Sequence, residues 1–449
     1  MKDWLIQYSM NKKIIRTIFI VLLTIQNTLG IVNVFVSPIP IPPRTSIGIM
    51  TGIAACMVAL LCWALKKKII KLNSSPKIID YYVLLFIIMN AISLLWNDTI
   101  FEPTKFRLLI IGVLQYIVLR IIAPTQKEKM FIFHSLGVVV VIVSSINLFQ
   151  LLFRPVMIQI AKQYFFGEMV YGIAWELQRG RIPFWGNNTI LFPAFTSLIC
   201  FPIKSTVIRW VVILGLILIP FSFVVSNFRW IMTCFFLGMV ILFYFSKELQ
   251  MFFLEHIQPT LLVVTGSLVI GLIFSTVFSR YNLINRFLFQ DKARDVTYSI
   301  GRLYLYNQAL EVFKAFPVVG VGVGNYPYYV DPIEGLAYFH SLSGKYDESD
   351  KQPVSSHNEP LTILVEIGVV GAAWWLMINI YVFQRAVTLL RSKYFISKSD
   401  LFVISISFTS LCLYYLFGLF ENVSPNNYIY IFFLFGIIVS QHNGRDQRS

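Results

Sequence analysis

Runs of about 20 consecutive apolar residues recur along this 449-residue chain, and no other feature restricts its fold so severely. A segment that crosses a hydrocarbon core must satisfy its own backbone hydrogen bonds, which leaves the α-helix as the form open to such a run. About twelve runs are legible, with approximate limits 14–36, 45–65, 79–96, 106–122, 131–153, 189–203, 207–226, 230–246, 259–278, 360–383, 401–419 and 428–440. The sixth and the twelfth are the shortest. Hydrophobic residues make up 57% of the chain against 13% charged, and the mean hydropathy is +0.71, a balance foreign to soluble globular domains. The expected fold class is all-α: a polytopic integral membrane protein of about 12 transmembrane helices. The first run exceeds the core of a signal peptide and is expected to stay as an anchor.

The loops carry an orientation signal. With the N-terminus cytoplasmic, Lys12, Lys13 and Arg16, then Lys66, Lys67, Lys68, Lys71 and Lys77, then Arg120, Lys127 and Lys129 share the inner side with the basic residues near 204–209, 385–398 and the C-terminus. That side holds more than half of the 37 basic residues, whereas the short connections opposite hold only Arg44, Lys105, Arg107 and Arg229. Both termini are therefore expected in the cytoplasm. The net charge of +15 reads as this signal, so membrane lipids are expected partners and nucleic acid is not. All five cysteines lie within apolar runs, which argues against a disulfide framework or a cysteine-based metal site. No Walker-type phosphate loop is present on the inner side, and no cofactor is expected.

Two longer polar segments fall on the outer side, a smaller one over 154–188 and a large one over 279–359, between the ninth and tenth spans. The whole chain, 1–449, reads as a single membrane domain carrying these two loops. In the large loop, Leu303, Tyr306, Leu310 and Phe313 recur at spacings of three and four, predicting an amphipathic helix over Thr297 to Phe316, capped by Ser299 and stopped by Pro317. It would present Arg302 from its first turn, either among lipid headgroups or to an anionic substrate. Next come Pro317, Gly320, Gly322 and Gly324, too differently spaced for a dinucleotide fingerprint. Two readings stand for them: a tight structural turn, or a backbone surface shaped to a substrate.

Other features of the loops also admit two readings. Arg280, Arg286, Lys292 and Arg294 suit a lipid diphosphate and anionic headgroups alike. The run Asp347, Glu348 and Asp350 fits a solvated acidic loop better than a metal site. Tyr304, Tyr306, Tyr326, Tyr328, Tyr329, Tyr338, Phe339 and Tyr346 suit a sugar-packing groove or an interfacial belt. In the smaller loop Trp175, Glu176, Arg179, Arg181 and Trp185 read as a lid or as a tryptophan-anchored surface loop.

The large loop closes on Ser355, Ser356, His357, Asn358, Glu359 and Pro360. Proline suits a first helical turn, which would point the positive end of the helix dipole at the outer mouth. An anion is favoured there, and the His357 imidazole beside it suits a group that takes a proton from an incoming hydroxyl. Glu366 lies about six residues into the same helix, where a lone carboxylate is costly. Arg229, directly after the seventh run, is its expected ion-pair partner; a substrate role for either residue is the competing reading.

Taken in order, Arg302 on its helix, the Pro317 to Gly324 turn, His357-Asn358-Glu359-Pro360-Leu361 and Glu366-Ile367-Gly368-Val369-Val370-Gly371 resemble the carboxy-terminal signature of the O-antigen ligase and O-antigen polymerase family. The resemblance is strongest over about residues 220–375, and the twelve-span plan extends it to most of the chain. It implies a metal-independent, inverting glycosyltransferase of cell-surface polysaccharide synthesis, on the outer face of the bacterial cytoplasmic membrane. Such an enzyme moves a glycan from undecaprenyl diphosphate to a sugar hydroxyl on an acceptor glycan or envelope polymer. By motif match, Arg229 and Arg302 hold the diphosphate and His357 activates or orients the acceptor, with Asn358, Glu359 and Glu366 in support. Guanidinium forks suit the negative charge that develops on a departing diphosphate. The alternative is a polysaccharide or lipid-linked glycan flippase without transferase activity. It would keep polar residues near mid-membrane, whereas the first five runs are almost free of charge, and it has no need of a long outer loop.

Overall fold

A computed structural model describes residues 2–32, 43–67, 76–96, 103–153, 155–156, 159, 186–225, 229–278, 292–329, 356–391, 397–419 and 427–441. The regular elements among them are helices in the order α1 (Lys2–Val32), α2 (Pro43–Lys66), α3 (Ile78–Trp96), α4 (Pro103–Ile122), α5 (Gln126–Leu152), α6 (Gly186–Cys200), α7 (Thr206–Val225), α8 (Arg229–Phe245), α9 (Lys247–Glu255), α10 (Ile257–Phe278), α11 (Lys292–Ala315), α12 (Tyr326–Tyr329), α13 (Glu359–Arg391), α14 (Lys398–Gly418) and α15 (Asn427–Val439). Each of the twelve apolar runs falls on a helix. Among the described residues, six helices are long and apolar enough to cross a membrane, or seven if the bent pair 231–245 and 247–255 counts as one span. That bend, of 101°, sits at Ser246, whose hydroxyl accepts the Leu249 N–H at 3.1 Å and starts α9 afresh.

The chain's C-terminal helices form the centre. Every residue of α15 is buried, and α14 is buried along most of its length. The 13 residues of α15 cover about 20 Å, and their complete burial makes it a helix packed inside other helices. It lies along α4, and Phe86 of α3, Trp375 of α13 and Phe432 of α15 meet ring to ring in between. On the outside of α3, α7, α8 and α10, Leu84, Trp210, Val240 and Leu262 stand exposed, as side chains do where lipid is the solvent.

Ion pairs join helix ends that the charge count assigns to one side. Arg16 meets Glu128 at 2.9 Å, Arg120 meets Asp80 at 3.0 Å and Lys129 meets Asp400 at 3.1 Å, all at ends read as inner. Lys105 meets Glu366 at 2.7 Å at ends read as outer. No partner crosses from one assigned side to the other in these four pairs.

The helix of the large loop differs from its expected form. It starts at Lys292 instead of Thr297, so Ser299 lies inside it and Arg302 sits near its middle, away from the first turn; it does end just before Pro317. Its packed stripe is Leu305 and Ala309, with Val312, Phe313 and Phe316, set against Val321, Tyr326 and Val365. Leu303 and Leu310 of the expected stripe are 60% and 41% exposed. The helix docks on α13, and docking selects a neighbouring stripe. The expectations for Arg280, Arg286 and the acidic run, and for Trp175, Glu176, Arg179, Arg181 and Trp185, lie outside the described residues, as do the side chains of Lys292 and Arg294.

Candidate active site

The long helix α13 is broken. Gly368 takes φ 64° and ψ −176°, a conformation open to glycine alone, and the helical hydrogen-bond ladder is interrupted there. Backbone groups released inside an apolar bundle need partners, and the large loop supplies them. Val321 N–H donates to the Val365 carbonyl at 3.0 Å and Gly322 N–H to the Glu366 carbonyl at 2.8 Å. In return Val369 N–H donates to the Pro317 carbonyl at 2.8 Å and Val370 N–H to that of Val318 at 3.4 Å. A hydroxyl from α3, Ser93 Oγ, adds a bond to the Glu366 carbonyl at 2.8 Å. The loop mends the helix.

This contact also accounts for the glycines. A Cβ on Gly320 would lie 2.4 Å from the Glu366 carbonyl, and one on Gly368 would lie 2.2 Å from the Val318 oxygen. Of the two readings of the glycine run, the structural turn is the one realised here, and the surface it fits is α13 itself.

Glu366 finds a different partner from the one expected. Lys105 Nζ lies 2.7 Å from its Oε2, with both side chains buried, and the Gly324 N–H lies beside the carboxylate. The reason is topological: the first turn of α4 lies beside α13 and brings Lys105 to the level of Glu366. The side chain of Arg229, which opens α8, lies outside the described residues. Lys105 was visible as one of four basic residues in the short connections read as outer, a signal that narrows the candidates without singling it out. Two helical turns above, buried Glu359 accepts a hydrogen bond from Tyr428 Oη at 3.0 Å, and Lys105 Nζ lies 6.0 Å from the centre of that tyrosine ring.

His357 is held between pinned neighbours. Asn358 caps α13, its Oδ1 accepting the Leu361 N–H at 2.9 Å, while its Nδ2 donates to the Leu419 carbonyl at the end of α14 at 3.3 Å. Ser356 Oγ donates to the Asn358 carbonyl at 2.8 Å and lies 2.6 Å from Thr362 Oγ1. Between them half-buried His357 has φ 51°, a left-handed conformation that a residue other than glycine adopts only when its surroundings enforce it. Pro360 sits in the first turn as expected. The mouth is a poorer anion site than the dipole argument suggests, because Pro360 has no N–H, the Leu361 N–H is taken by the cap and Glu359 adds a carboxylate. Cationic side chains have to supply the attraction.

Arg302 is half-buried and lies one turn before the buried Leu305 on α11, the helix that docks on α13. The helix bearing Arg302 is therefore docked on the helix that His357 precedes. Of the expected support residues, Asn358 orders the backbone after His357, while Glu359 and Glu366 anchor α13 to α15 and α4.

A multi-helix membrane protein with a loop locked into a broken helix is the class that fold and site define. Residues 192–376 match the O-antigen ligase family model. This segment runs from α6 into α13 and takes in Arg229, Arg302, the glycine turn, His357 and Glu366. No curated protein matches the chain. The match supports an enzymatic role of ligase or polymerase type in glycan synthesis.

Proposed function

We propose that the protein is a metal-independent, inverting glycosyltransferase of the bacterial cytoplasmic membrane, with twelve spans, both termini inside and its site on the outer face. The donor is a glycan on undecaprenyl diphosphate and the acceptor is a sugar hydroxyl of a growing glycan or envelope polymer. Arg229 and Arg302 hold the diphosphate. As the acceptor oxygen attacks the anomeric carbon from the opposite face, the sugar–phosphate bond breaks, its electron pair passes to the diphosphate, and the guanidinium groups stabilise that charge. His357 takes the proton of the attacking hydroxyl.

The observation that carries this reading is the docking of the Arg302 helix, through the glycine turn, onto the helix that His357 precedes. A transporter has no evident use for a loop bound so firmly to one helix; an enzyme needs its groups held in fixed relation. The test is reconstitution in vesicles with a lipid-linked oligosaccharide, with and without chelator, followed by product sizing. Chelator-resistant transfer is expected; a ladder of products identifies a polymerase and a single transfer to a foreign acceptor identifies a ligase. Absence of product, with translocation of the donor instead, overturns the reading in favour of a flippase.

A further inference from the structure

We propose that Lys105 is a positioning residue for glycan transfer, acting through Glu366 on the turn that sets the Arg302 helix; the proposal rests on the glycosyltransferase reading above. A buried ion pair seldom stabilises a fold more than apolar residues of the same volume would, so the Lys105–Glu366 pair calls for another account. The geometry offers one. Glu366 meets the turn at two points, its carbonyl receiving the Gly322 N–H at 2.8 Å and its carboxylate lying beside the Gly324 N–H. Lys105 fixes that carboxylate to α4.

The turn in its own right is continuous with α11. Phe316 N–H bonds the Val312 carbonyl and Gly320 N–H bonds the Phe316 carbonyl, each at 3.1 Å, so the backbone leaves the helix without slack. A shift of the turn therefore carries the end of α11 with it, and Arg302 lies on that rigid body. The anchor is firm at the other end too. A Cβ on Gly112 of α4 would lie 2.7 Å from the Tyr428 carbonyl, which measures how closely α4 and α15 approach. Tyr428 holds Glu359, two residues beyond His357. The α4–α15 pair thus grips α13 near both halves of the site, through Lys105 towards Arg302 and through Tyr428 towards His357.

The experiment compares Lys105→Met, Lys105→Arg and the double variant Lys105→Met/Glu366→Gln with the wild type, all as full-length protein in lipid nanodiscs. Amide hydrogen exchange is read over 317–326 and over α14, and transfer kinetics are measured with a lipid-linked oligosaccharide donor. Lys105→Met is expected to speed exchange at 320–325 at least tenfold and to raise the donor KM at least tenfold with a smaller change in kcat, leaving α14 unaltered. Lys105→Arg should restore most of the protection and most of the KM. If Lys105→Met does not fold, the double variant, which buries no lone carboxylate, is expected to fold and to raise KM in the same direction. Unchanged exchange and KM in the folded variants would overturn the proposal, as would faster exchange spread evenly into α14, which marks a merely structural pair. A wild-type protein that transfers nothing sinks the glycosyltransferase reading and the catalytic half of this one, while the exchange data still decide whether Lys105 holds the turn.

Discussion

Replacing Gly368 by alanine should have an effect far out of proportion to one methyl group. The backbone at this residue lies in a region essentially reserved for glycine, at a cost of about 1–3 kcal/mol for any other residue. The new Cβ would also sit 2.2 Å from the Val318 oxygen, about 1 Å inside contact distance, so the turn or the helix has to give way. Retreat by that amount breaks the bonds of Val369 and Val370 to the turn and strains those of Val321 and Gly322. Four backbone bonds at about 1 kcal/mol each, added to the dihedral cost, give a local destabilisation of about 5–7 kcal/mol. Limited proteolysis between α11 and α13 in detergent micelles, with thermal unfolding alongside, measures this. Gly266→Ala is the control: it lies in α10 with nothing within 4 Å of an added Cβ, and it should leave both readouts unchanged. Equal proteolytic resistance in Gly368→Ala and wild type would refute the view that turn and helix complete each other.

Three further outcomes are expected. Arg302→Ala and His357→Ala should each abolish glycan transfer without reducing the amount of protein in the membrane; near-normal product length and yield in either variant removes that residue from the mechanism. Since Glu366 is already paired with Lys105, Arg229 is not required to neutralise it, so Arg229→Lys should lower transfer at least tenfold if a guanidinium fork matters, and full activity speaks against the fork. Asn358→Ala removes a helix cap worth about 1 kcal/mol and should lower the unfolding temperature by a few degrees, which calorimetry of the detergent-solubilised protein would detect.

The helices were legible because a bilayer leaves an apolar run little other choice, and all twelve runs are helical. The packed face of α11 was not legible, since Leu303 and Leu310 are as apolar as Leu305 and Ala309. Next to a membrane, hydrophobic periodicity does not separate the stripe that meets protein from the one that meets lipid. The need for a partner at Glu366 could be read locally, but its identity could not: Lys105 stands 261 residues away, and only the packing of α4 and α13 brings the two to one depth. Gly368 looked like part of an uninterrupted helix because valines and glycines around it are compatible with one, and the break becomes visible only with the turn that fills it. In the candidate site, the helix start after His357 followed from Pro360, whereas the Asn358 cap and the donors lost to it could be seen only in three dimensions.

The mended helix has a consequence for how the protein is made. Residues 317–322 leave the ribosome before 365–370, so the turn is made before the helix segment that it mends. Until the two meet, the second half of α13 carries backbone groups without partners, a state that hydrocarbon penalises by several kcal/mol for each group. Folding of the membrane domain is therefore completed by the docking of a separate turn. The step that completes it also brings the Arg302 helix against α13, so a chain with an unassembled site has an unfinished membrane domain as well, open to recognition by the proteases that clear such intermediates.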